Sequence, residues 1–180
     1  PTQAEGWLGT PGLVGSRGGL GQFSAFRPVG VEVLAADGTD GAPTEVRLTA
    51  HDDEADLRLT VELRLSPSGL LRARAELTNR GEDGYAVDSL LLALPVPAAE
   101  TQVVDQSGHH LRERAIAFHE FTIGAHEQAV RVARGHAASV VHGTCAPGTG
   151  WNRGLVHYVH VAWSGNTRTV AERNVVGQNA

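Results

Sequence analysis

The chain has 180 residues, of which 41% are hydrophobic and 19% charged, and it carries a net charge of −5. A globule of this length buries roughly 70% of its unfolded surface, so the composition belongs to an ordinary folded domain and excludes disordered and fibrous classes. All 15 basic residues are Arg, and acidic residues alternate with them, which leaves no positive face on which a nucleic-acid backbone could release counterions.

No stretch approaches the ~20 consecutive apolar residues of a membrane-spanning helix. The lone Cys145 cannot form an internal disulfide, and no signal peptide is visible. Neither nucleic acid nor membrane is therefore an expected partner, and a cytoplasmic location is expected.

Residues 1–21 hold many of the 22 glycines and read as one irregular loop, unusually long for a compact domain and hence either functional or poorly ordered. Within it, Gly6 to Gly19 has neither the Lys-Ser/Thr step nor the strand-to-helix setting of a phosphate cradle. Trp7 is the candidate substrate-binding residue, because an indole face stacks on the apolar face of a pyranose and its N–H can donate to a hydroxyl; the alternative is a surface loop whose Trp7 tucks into a local cluster.

Thr44 to Ala50 reads as a strand. The following Asp52-Asp53-Glu54 reads as a solvated turn, since consecutive carboxylates diverge and no apolar pocket is evident to tune a general acid. From Leu57 to Leu65 every second residue is apolar, with Arg58, Thr60, Glu62 and Arg64 between, the period of a half-buried strand. Ser66-Pro67-Ser68-Gly69 is a tight turn. A second strand follows, with Leu71, Ala73, Ala75 and Leu77 inward, and its outward Arg and Glu residues can pair across the hairpin.

Asn79 to Gly84 is a loop. The run Tyr85 to Leu94, with its three successive leucines, suggests burial on both faces until Pro95 and Pro97 stop it. No long 3.6-residue apolar stripe occurs anywhere, so helices are not expected. Short strands separated by Gly, Pro, Asn and Asp clusters predict one all-β domain over residues 1–180, a large antiparallel two-sheet sandwich.

The second half contains most of the nine histidines. Their spacing forms no HExxH, adjacent pairs such as His109-His110 face opposite sides of a strand, and a single Cys precludes a Cys-paired structural site. No metal, cofactor or catalytic residue is expected on these grounds. There is no Gly-x-Ser-x-Gly elbow, and Cys145 reads as an inert apolar residue in a loop. Phe118, Phe121 and Trp163 alternate with apolar neighbours as core residues do. On Tyr158 to Trp163, Val159, Val161 and Trp163 share one face and Tyr158, His160 and Ala162 the other, one of them expected in the core.

The closing strand Tyr158-Val159-His160-Val161-Ala162-Trp163, its Ser164-Gly165-Asn166 turn, the later Ala171-Glu172-Arg173 and the upstream Leu111-Arg112-Glu113-Arg114 together resemble the N-terminal domain of bacterial α-galactosidases of glycoside hydrolase family 36. The resemblance implies a β-supersandwich fold, incomplete at both ends, and a parent enzyme that removes terminal α-galactose with retention. The two catalytic aspartates, roughly 5 Å apart as retention requires, would lie in a (β/α)-barrel of the same parent chain. It also implies a homo-oligomer in which a Gly-Asp-Phe-Arg-x-Pro loop reaches a neighbouring subunit's galactoside pocket. Aligned on Pro11, Trp7 takes the place of that Asp. The alternative is a free-standing carbohydrate-binding or scaffold module, which would present exposed aromatic residues as a platform.

Overall fold

The computed structural model describes residues 2–21, 23–35, 44–131, 141–163 and 165–180. They form an all-β protein of antiparallel sheets with a single 3-10 turn at Gln3–Glu5. The chain divides into two compact units, Pro1–Ala93 and Leu94–Ala180.

In the first unit, β1 (Leu13–Arg17) and β2 (Leu20–Gly21) form a hairpin, and β1 also pairs with β7 (Tyr85–Leu90). The glycine-rich start thus contains two strands where an irregular loop was expected. Gly18 and Gly19 both adopt positive φ, 59° and 79°, the requirement of a two-residue hairpin turn whose twist matches its strands.

The other sheet is a meander of β3 (Arg27–Ala35), β4 (Thr44–Asp52), β5 (Leu57–Leu65) and β6 (Leu71–Asn79). The expected β5–β6 antiparallel hairpin is present, with Leu59 opposite Leu77 and Glu62 opposite Arg74. Its turn closes with the Gly69 N–H donating to the Ser66 carbonyl at 2.9 Å. On the wet face Glu32, Arg47, Glu62 and Arg74 stand opposite one another across all four strands, and Arg47 bridges Glu62 at 3.1 Å and Glu32 at 3.5 Å. Alternating signs across a ladder are the favourable arrangement.

Leu13, Phe26, Ala55 and Leu57 make the core, backed by Ala50, Leu59, Leu77, Tyr85 and Leu90. Burial fades along the hairpin: Leu65 and Leu71 are exposed, as is Ala73, so the apolar face read from the period is covered only at its Leu57 end. The double burial expected of Tyr85 to Leu94 is not found either, because Val87 and Leu92 are exposed.

The second unit has a four-stranded sheet ordered β12 (Val156–His160), β11 (Val141–Cys145), β8 (Gln102–His109) and β9 (Arg112–Glu120), and a pair formed by β10 (Gly124–Val130) and β13 (Thr167–Arg173). Val103 of β8, Ala171 of β13 and Phe121 meet in its core. The β10–β13 pair therefore lies on the sheet face that carries Val103. Phe121 is buried as expected, but Phe118 and Trp163 are exposed, and so is all of β12. An edge strand paired on one side alone does not acquire a covered face from its apolar alternation.

Candidate functional site

The Trp7 loop folds back on itself. The indole N–H donates to the Thr10 carbonyl at 2.9 Å and the Trp7 amide donates to the Thr2 carbonyl at 3.2 Å. Trp7 is half-buried, so it offers a ring face while its polar edge is already occupied. A shallow, mainly apolar cavity of about 250 Å³ opens nearby in sequence, lined by Gln3, Pro11, Leu13, Phe23 and Ser24 among others. Trp7 is not in its wall.

The carboxylates with the deepest burial serve as hydrogen-bond acceptors. Asp52, 2% exposed, corrects the solvated-turn reading: Oδ2 accepts from the Ala25 amide at 2.7 Å, and Oδ1 accepts from the amides of Ala55 at 2.9 Å and Glu54 at 3.2 Å. It caps the β4–β5 turn and ties residue 25 to it. Its neighbours Asp53 and Glu54 remain exposed as expected. In the second unit, Glu100 accepts from the Thr144 hydroxyl through Oε2 and faces His157 Nδ1 through Oε1, each at 2.5 Å. Asn179 Nδ2 donates to the backbone carbonyls of Glu100 and Pro97. Cys145 lies at the end of β11 rather than in a loop, fully buried, and burial raises its thiol above the ordinary range, which suits a packing residue and not a nucleophile.

Sequence spacing missed a third constellation. Asp105 on β8 stands opposite Ala117 on β9, and Val103 opposite His119, so Asp105 and His119 share the face that β10–β13 covers. From β10, His126 reaches the same place. Asp105 Oδ2 is 2.9 Å from His126 Nε2 and 3.0 Å from His119 Nε2. One step beyond the Gly143–Val104 pair, His142 stands level with Asp105, its ring 5.4 Å from that of His126. His142 is 3% exposed, and its Nε2 is buried without a hydrogen-bond partner. A buried polar atom left unpaired costs about 1–3 kcal/mol. Burial, reinforced by the neighbouring His126, pushes His142 down to about 4, so its ring is neutral at physiological pH.

The residues match the model of the Glycosyl hydrolase family 36 N-terminal domain over 1–180. The chain belongs to this family. An α-galactosidase of Escherichia coli is 32% identical over 179 residues, an alignment that covers 97% of this chain and 24% of that protein. The α-galactosidase of Lactobacillus brevis superposes with a TM-score of 0.84 at 18% identity over 96% of this chain and 25% of its own. A family 36 α-galactosidase of Geobacillus stearothermophilus gives 0.84 at 15% identity over 96% of this chain and 26% of its own. At such identities the superpositions speak for the fold alone. This family 36 domain thus spans about a quarter of the length of the relatives it matches.

Five aromatic residues of this family 36 domain are exposed among those described, Phe23, Phe118, Trp151, Tyr158 and Trp163. Trp151, 91% exposed, tips a turn closed by reciprocal Gly150–Arg153 backbone bonds, and Tyr158 lies exposed on β12. No helix among the described residues is long and apolar enough to cross a membrane.

Proposed function

We propose that residues 1–180 are one non-catalytic N-terminal domain of a cytoplasmic α-galactosidase whose catalytic (β/α)-barrel belongs to the same parent chain. The family match over the whole chain carries this reading. The buried carboxylates support it, because Asp52, Glu100 and Asp105 are each committed to nearby N–H, O–H or imidazole groups and none is held free for acid–base work. In this reading the parent enzyme is a homo-oligomer, and the Trp7 loop contributes to the galactoside pocket of a neighbouring subunit. Because Thr10 already takes the indole N–H, the Trp7 contribution is stacking, a contact between ring face and sugar.

The test compares this chain with the parent enzyme. The 180-residue protein should turn over no α-galactoside, and Trp7→Ala in the parent should raise KM several-fold while leaving the oligomer intact on gel filtration. Turnover by the 180-residue protein itself would defeat the non-catalytic assignment, and an unchanged KM would remove Trp7 from the pocket. Exposed Trp151 favours a second reading, a free-standing carbohydrate-binding module. Saturable galactose binding by this chain in calorimetry, abolished by Trp151→Ala, would support the module over the subunit-interface role.

A further inference from the structure

We propose that Asp105, His119 and His126, joined by His142, form a structural site for a divalent transition metal of the zinc class, which fastens the β10–β13 pair to the β8–β9–β11 sheet. The three first-named residues bring one carboxylate oxygen and two imidazole nitrogens within 4.8 Å of one another, from three different strands. Tetrahedral zinc with bonds near 2.0–2.1 Å to nitrogen places its ligand atoms roughly 3.3 Å apart. The observed Oδ2 separations of 2.9 and 3.0 Å are close to that, while ligand atoms up to 4.8 Å apart must draw together as an ion enters.

A purely hydrogen-bonded arrangement, with both imidazoles donating to Asp105, is the competing account. It explains Asp105 and leaves His142 unexplained: an imidazole, 3% exposed, whose Nε2 has no partner, stands beside the His126 ring. Its ring lies 5.4 Å from that of His126, and in the proposed site it supplies the fourth ligand of a three-His, one-carboxylate set. Imidazole donors select zinc, cobalt or nickel over magnesium and calcium, which require oxygen cages. His119 and His126 keep 43% and 34% of their side chains exposed, which gives the ion a path from solvent. The benefit is physical, since among the described residues the apolar cluster of this unit is small, Val103, Phe121 and Ala171 with Val96 against them, and a small core gains from a metal cross-link between its layers.

The experiment uses the 180-residue chain stripped with chelator, desalted and titrated with zinc or cobalt(II). We expect one equivalent of zinc to co-elute on gel filtration, a melting temperature that rises with zinc concentration, and visible cobalt(II) bands of four-coordinate intensity. His119→Ala with His126→Ala should abolish all three, whereas His110→Ala with His160→Ala, both exposed positions, should abolish none. Failure of the wild-type chain to retain metal, or retention undiminished by the His119/His126 pair, overturns the proposal. Should that pair fail to fold, imidazole nitrogen NMR of the wild-type chain decides. Zinc-induced shifts confined to His119, His126 and His142 uphold the site, and shifts confined to other histidines overturn it.

Discussion

Replacing Asp52 tests whether a single carboxylate organises the first unit. In Asp52→Ala three amides lose their acceptor. Glu54 is exposed, so water replaces the carboxylate there at little cost. The Ala55 amide is buried with its residue, 2% exposed, and bears most of the penalty of a missing partner, while the partly buried Ala25 amide loses a charge-assisted bond. Together these come to about 3 kcal/mol, or roughly 6–12 °C in Tm for a chain of this size. Asp52→Asn does not rescue the site. Its Oδ1 can still serve Glu54 and Ala55, but its amide N–H₂ then points at the Ala25 N–H, and we expect a loss of about 2 kcal/mol. Asp53→Ala, at an exposed neighbour, should stay within about 0.5 kcal/mol. Urea unfolding gives the energies, and amide hydrogen exchange at residues 25 and 55 gives the location. Equal losses in the Asp52 and Asp53 variants, or a loss with unchanged exchange at both amides, would refute this assignment.

Two further substitutions probe the second unit. Gly143→Ala places a Cβ 2.5 Å from the His157 carbonyl oxygen and 2.8 Å from Tyr158 Cβ, so β12 must move away; a loss of about 1–3 kcal/mol should appear with accelerated amide exchange along β12, and normal exchange there would contradict the contact. Glu100→Ala strands the buried Thr144 hydroxyl and should cost about 2 kcal/mol. Glu100→Gln should cost about 1 kcal/mol or less, because the new amide can accept from Thr144 and donate to the acceptor tautomer of His157. Equal destabilisation by the two variants in chemical denaturation would show that charge, rather than hydrogen bonding, matters at Glu100.

The β5–β6 hairpin was legible because its signals are local. A period of two over Leu57 to Leu65 and a Pro-Ser-Gly turn mark two strands and their antiparallel pairing within one stretch of chain, and the structure reproduces them. The β1–β2 hairpin was equally local but was misread, because glycine richness looks like irregularity unless Gly18-Gly19 is recognised as a pair of positive-φ turn residues. Asp52 was misread for another reason. Its partner Ala25 lies 27 positions away, and no local pattern distinguishes a buried acceptor from a solvated carboxylate in an Asp-Asp-Glu run.

The sequence by itself determined the fold class, the family 36 resemblance and the strands whose alternation is written in consecutive residues, since backbone pleat and turn chemistry act at short range. Tertiary structure alone decided which apolar faces are covered: Leu57 is buried and Leu65 exposed on one strand of uniform pattern, because burial depends on what is laid over a face. It also alone decided the meeting of Asp105, His119, His126 and His142. These residues come from four strands, and only sheet register combined with layer packing brings the ligand atoms of the first three within 4.8 Å of one another, with the His142 ring beside that of His126.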